Sequence, residues 1–229
     1  MVVALAIYLS APPALPVSKV KRTTVPRSGV SGTAIAAIGT VVLAFCAYEQ
    51  VSNIFLVWIA GHVRLHVAGF AVPPAWFAVA DGFFTILLVT LVTSIGKSRA
   101  RRGCVALYPA TLLTMGCGAI GTGFIALALA ALTETDSALA PLAALLLLDL
   151  GVVLVWPAGL ALVTASAPTG SSGTMVGLFY LHGFFANLFV GWVGGFYERV
   201  PIVQFWSWHA GIAGVAMLLA LALRRTISR

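Results

Sequence analysis

The chain has 229 residues, is 61% hydrophobic and only 8% charged, and has a mean hydropathy of +1.06. A soluble domain carries about 25% charged residues, so this chain lacks the polar surface to cover itself in water. Lipid is its solvent, which sets aside a soluble enzyme and a nucleic-acid-binding protein as functional classes. The net charge of +7 and pI of about 9.8 then report topology before they report a partner, because Lys and Arg of membrane proteins gather in cytoplasmic loops.

Residues 1–9 (MVVALAIYL) are apolar but short. Nine helical residues reach about 14 Å, less than half of a hydrocarbon core of about 30 Å. With no basic start and no small-residue cleavage site, the stretch reads as the end of a preceding helix rather than a signal peptide. Residues 10–30 read as a cytoplasmic linker: Pro12, Pro13, Pro16 and Pro26 break helix, and Lys19, Lys21, Arg22 and Arg27 hold the stretch in water. Residues 31–229 then form a second unit, with long apolar segments near 32–60, 73–96, 104–132, 139–166, 172–197 and 202–223. Each is long enough to span a bilayer, some with tilt.

The separators are loop-like: His62 to Gly69, the basic 96–103 stretch GKSRARRG, TETDS at 133–137, APTGSSG at 167–173, and 198–201. Pro73 and Pro141 fall where proline suits the first turn of a helix. With six spans, eleven of the Lys and Arg residues lie on one side, in the linker, the 96–103 loop and the C-terminus. Only Arg64 and Arg199 lie on the other, together with the acidic TETDS loop. This asymmetry predicts a multi-pass protein of the inner or plasma membrane with both termini cytoplasmic.

Ionisable residues inside spans are costly and usually serve a pathway. Three acids fall there: Glu49, Asp81 and Asp149. Glu49 lies in AYEQVSNIF beside Gln50, and a continuous helix would put Asn53, four residues on, on the same face as Glu49. A carboxyl in such a stripe is suited to exchanging a proton. Asp81, about eight residues into the second segment, has a cavity-facing reading and an interfacial one. Asp149 precedes GVVLVWPAGL, where Pro157 should kink the helix between Gly151 and Gly159. Gly183, Asn187, Gly191 and Gly195 recur at steps of four, the pattern of a small-residue helix contact with Asn187 as interhelical glue.

Cys46, Cys104 and Cys117 lack a CxxC spacing, so they read as small apolar residues rather than a redox or zinc motif. His182 and His209 are single and read as polar core residues. No GxSxG, HExxH or P-loop is present. Neither catalysis, a metal nor a cofactor is expected.

Three stretches together resemble the proton-dependent oligopeptide transporter family of the major facilitator superfamily. AYEQVSN with LVW after it is similar to the family's seventh helix. HVAGFAVPPAWFAV is similar to the turn into the eighth. LGVVLVWPAGLALVTASAPTGSSGTMVGLFYLHGFFANLFVGWVGGFYE is similar to helices ten and eleven without a gap. Residues 1–200 carry the likeness, and AIYLSAPPALP resembles the end of helix six and the central linker.

The resemblance implies an all-α integral membrane bundle of about six transmembrane helices, the C-terminal half of a major facilitator fold. It implies a transporter half related to proton-coupled di- and tripeptide symporters. The partners implied are the lipid bilayer, protons, a small peptide or zwitterion, and an N-terminal transporter half or a second copy of the chain.

Glu49, Gln50, Asn53, Asp81, Asp149 and Phe179 are then the substrate-binding or proton-coupling residues. The family's helix-ten glutamate, which meets the substrate amine, falls at Val152, the helix-eight Asn-Pro pair at Asp81-Gly82, and a helix-eleven Trp at Phe179. Asp149, three residues before Val152, could supply the missing charge from one turn away. The competing reading is a membrane scaffold or remnant that does not transport.

Overall fold

The computed structural model describes residues 32–67, 69–105, 107–168 and 170–227. The expected helix end and linker at 1–30 lie outside them. In chain order the helices are α1 (Gly32–Tyr48), α2 (Ile54–His62), α3 (Ala75–Arg101), α4 (Pro109–Leu132), α5 (Leu139–Ala165), α6 (Ser172–Gly194) and α7 (Ile202–Ile227). Among the described residues, six spans of 21–27 residues are long and apolar enough to cross a membrane. The shortest reaches about 32 Å at 1.5 Å per residue, a full hydrocarbon core.

The first span departs from the expected unbroken helix over 32–60. It ends as α-helix at Tyr48, continues as a 3-10 turn over Glu49–Ser52, and restarts as α2 after Asn53, whose φ of −122° and ψ of −97° are not helical. The break falls on the most polar run of the span. Ser and Asn side chains compete with the helical backbone, and the freed Asn53 N–H donates to the Gln50 carbonyl at 3.2 Å. Asn53 is exposed while Glu49 is half-buried, so the regular polar stripe expected for these two residues does not form.

Other boundaries shift for local reasons. The 96–103 stretch is mostly helix: α3 runs through Lys97 and Arg99 to Arg101, where cations complement the carbonyl end of the helix. It stops at Gly103, whose φ of +70° suits glycine as a terminator. The next helix starts at Pro109 rather than near 104, because the residue before proline is held extended (Tyr108, ψ 138°). Pro73 precedes α3 instead of lying in its first turn, whereas Pro141 is in the first turn of α5. Between α2 and α3 a short antiparallel hairpin pairs β1 (His66–Val67) with β2 (Phe70–Ala71).

The core lies between α1, α2, α4, α5, α6 and α7, with Phe55, Trp58, Phe124, Leu148, Phe179 and Trp206 enclosed. Between spans in lipid, close packing rather than water exclusion holds helices together. Here glycine sets it at the α4–α5 contact. A Cβ on Gly116 would sit 2.7 Å from the Gly151 carbonyl oxygen, and one on Gly151 would sit 2.8 Å from that of Gly116.

The expected Gly183, Asn187, Gly191 and Gly195 stripe does not pack this way. Nothing lies within 4 Å of a Cβ on Gly183 or Gly191, Gly195 meets only its own helix at the Trp192 carbonyl, and exposed Asn187 donates back to the Gly183 carbonyl. The face of α6 that packs inward carries Phe179, His182, Ala186, Val190 and Val193.

By contrast α3 is loosely held: Phe77 and Leu88 are its buried side chains. The 62–72 and 133–137 loops meet at one end of the bundle, where Arg64 Nε donates to Asp136 Oδ2 at 2.8 Å and the Arg64 backbone N–H donates to the Asp136 carbonyl.

Candidate functional site

The three acids of the spans converge on one place. Tyr48, the last residue of α1, puts its hydroxyl 3.1 Å from Asp81 Oδ1 on α3 and 3.1 Å from Asp149 Oδ1 on α5. Asp149 is fully buried and its Oδ2 has no hydrogen-bond partner. Asp81 is half-buried, as is Glu49, which follows Tyr48 in the turn and feels the Asp81 charge. Three separate helices therefore bring their polar groups to the level at which the first span breaks. Such a break is a common way for a membrane helix to line a site, because its backbone groups are freed to face a cavity.

Gln50 and Asn53 flank the cluster on the α6 side. Gln50 is buried and its Nε2 donates 3.2 Å to the Val190 carbonyl, tying the turn to α6. Its Oε1 is buried without a partner. Asn53 lies against Gly194, where a Cβ would come 3.1 Å from Asn53 Nδ2. Ser52 and Asn53 are exposed, so the cluster reaches the surface of the bundle at the break.

Phe179 belongs to a different neighbourhood. It is fully buried, with its ring 5.0 Å from His182 and 6.1 Å from Trp156, and it contacts the space a Cβ on Gly159 would fill. Its enclosed ring packs between α5 and the rest of α6, away from the Tyr48 hydroxyl cluster. Pro157 lies inside α5 as expected. Next to it, Trp156 and His182 with Phe45 form an aromatic group joining α1, α5 and α6, at centroid distances of 4.5–5.4 Å. His182 and His209 each bond a carbonyl of their own helix through Nδ1.

Sequence reasoning overlooked Tyr48, although it adjoins Glu49. In an α-helix neighbours point about 100° apart, so the hydroxyl reaches partners that Glu49 does not. It also overlooked Trp156 as the link between α5 and α6. An available signal was the position of Trp156 one residue before the helix-breaking Pro157.

The profile of the family described as PTR2, the POT family, matches residues 32–208. The peptide transporter YePEPT of Yersinia enterocolitica subsp. palearctica serotype O:3 (strain YE-P4) is 28% identical over 157 residues, 65% of this chain and 30% of that protein. The uncharacterized transporter YclF of Bacillus subtilis (strain 168) is 23% identical over 195 residues, 81% of this chain and 39% of that protein. The fold is similar to that of a POT family transporter solved with 5-aminolevulinic acid. That match has a TM-score of 0.75 and 17% identity, and covers 86% of this chain and 41% of the other. A peptide transporter POT solved with sulfate matches with a TM-score of 0.73 and 22% identity, covering 86% and 39%. The chain thus spans 30–39% of the length of these two curated relatives. A family profile that covers most of the chain, including every residue of the Tyr48, Glu49, Asp81 and Asp149 cluster, leads to one conclusion: this protein belongs to the POT family.

Proposed function

We propose that this chain is a transporter half that moves a small peptide or similar zwitterion together with protons, working with an N-terminal bundle or with a second copy of itself. The observation that carries the reading is the convergence of Tyr48, Asp81 and Asp149, beside Glu49, within otherwise apolar spans. Intramembrane acids are expensive to keep in lipid and mark substrate or ion pathways. Glu49 is assigned to proton coupling and Asp149 to the substrate amine, with Gln50 and Asn53 shaping the broken segment between them. The relatives add chemical sense: one is named as a peptide transporter, and one similar structure holds 5-aminolevulinic acid, an amine-bearing acid.

Exposed apolar faces on α3 and α6 leave room for a partner bundle. Phe83, Ile86 and Val79 on α3 and Phe184, Leu188 and Trp192 on α6 are exposed apolar side chains, and lipid or a second bundle must cover them. In this reading 1–30 is the link to that bundle and 31–229 the six-span unit.

The orientation follows from the charge split. Lys97 to Arg102 face the cytoplasm and Glu134 to Asp136 face outside. In a background free of the native cysteines, a cysteine at position 101 is expected to resist an impermeant reagent in intact cells, and one at position 136 to react. Ready labelling at 101 would reverse the assignment.

The substrate assignment is tested by binding. An ammonium without a counter-charge in a low-dielectric cavity is costly, and the position of the family's amine partner holds Val152. With the N-terminal bundle supplied, Asp149→Asn is expected to weaken binding of a dipeptide about tenfold or more, about 1.4 kcal/mol. Adding Val152→Glu is expected to restore it. A wild type that shows no amine-dependent binding would discard the peptide reading in favour of a scaffold that does not transport.

A further inference from the structure

We infer that Asp81, Asp149 and Tyr48 form one proton-binding site that latches α3 onto the bundle, with a single proton held between the two carboxyl groups. The inference rests on the transport reading of this cluster and names a second proton site within it, separate from Glu49.

The argument is a count of hydrogens. A tyrosine hydroxyl has one hydrogen to donate and can also accept. Tyr48 Oη stands 3.1 Å from an oxygen of each aspartate. Two ionised carboxylates offer only acceptors, so one of those contacts would lack a hydrogen. Both become hydrogen bonds when one carboxyl carries a proton: Tyr48 donates to one aspartate and accepts from the other.

The two carboxyl groups meet on the same Tyr48 hydroxyl, which brings them close to each other. Asp149 Oδ2 is buried with no partner, so an ionised Asp149 would keep a desolvated, unpaired oxygen there. Like charges this close in a low-dielectric interior repel strongly, and paired carboxyls that share a proton are the usual resolution.

Among the described residues, the surroundings of the pair are acidic or neutral. Of the titratable groups near the pair, Tyr48 and Glu49 come from the first span, Asp81 from α3 and Asp149 from α5. On α6 the nearest, His182, is turned to the Phe179 carbonyl and the Phe45 ring. On α7, His209 bonds the Phe205 carbonyl. Among the described residues no Lys or Arg pairs with any of the three acids. Lys97, the first cation along α3, is about 24 Å from Asp81 at the helical rise.

The mechanical consequence follows from the loose packing of α3. With Phe77 and Leu88 as its buried side chains, α3 depends on the Asp81 contact more than the other spans depend on any one bond. Proton uptake closes the latch. Proton release leaves two facing negative charges and lets α3 move away from α5.

The test is the infrared carboxylic-acid C=O band of the purified full chain, followed from about pH 5 to about pH 9. The expected wild-type result is a band from one protonated carboxyl that titrates away, persists in Glu49→Gln, and is lost in both Asp81→Asn and Asp149→Asn. Tyr48→Phe keeps both carboxyls and is expected to shift the band, a readout that survives if either Asn variant fails to fold. A wild type without a titrating band, a band removed by Glu49→Gln alone, or one that answers to sodium at fixed pH would overturn the site. A persistent band in a chain that binds no dipeptide would keep the site and discard the peptide reading.

Discussion

Gly151→Ala is expected to destabilise the bundle by about 2 kcal/mol, within the about 1–3 kcal/mol usual for overpacking. For a chain of this size that lowers Tm by about 4–8 °C. The added Cβ would lie 2.4 Å from Ile120 Cγ1, 2.8 Å from the Gly116 carbonyl oxygen and 3.0 Å from the Ile120 backbone nitrogen. The Ile120 side chain can turn away, but the two backbone atoms cannot yield unless α4 and α5 separate. That contact also carries Asp149, two residues earlier, so the same substitution is expected to disturb the polar cluster. Gly183→Ala serves as the comparison: nothing lies within 4 Å of its Cβ, and a change within about 0.5 kcal/mol is expected, as for open surface positions. Thermal unfolding of the two variants in the same detergent checks the pair. Equal losses would mean that the α4–α5 contact is no tighter than the α6 stripe.

Glu49→Gln is expected to abolish proton-driven uptake while sparing exchange of substrate across the membrane, when the partner bundle is present. The loss should be about a hundredfold or more, about 2.8 kcal/mol. Glutamine keeps the shape and hydrogen-bonding capacity of the side chain but cannot take or release a proton, so the substitution separates coupling from structure. Glu49 is suited to the task because it lies half-buried at the only break in the first span, beside the Asp81 charge. Parallel measurement of uptake driven by a proton gradient and of counterflow at equal pH gives the answer. Unchanged gradient-driven uptake would make Glu49 a structural residue and move coupling to the Asp81–Asp149 pair.

Several features were legible in the order of residues. The six spans, the acids within them and the family resemblance each depend on local runs: hydrophobic length, an isolated carboxylate, a motif in sequence. Partition into lipid is nearly a sum over consecutive residues, so composition and run length are enough to locate it. The positions of Glu49, Asp81 and Asp149 followed because a charge in such a run is conspicuous.

What the fold alone decided is which residues meet. Tyr48 became the bridge between α3 and α5, Phe179 was enclosed, and the close approach of backbones fell to Gly116 and Gly151 rather than to Gly183 and Gly191. The step-of-four pattern marks Gly183 and Gly191, whereas Gly116 and Gly151 have large apolar residues four positions away on either side (Leu112 and Ile120, Leu147 and Val155), and a pattern on one helix leaves open how far that helix is rotated toward its neighbours. Every helix here is apolar on most faces, so no polar side identifies the outward one, as it would in water. Rotation, the break at Glu49–Ser52 and the meeting of two aspartates 68 residues apart are settled only when all the helices compete for the same packing space.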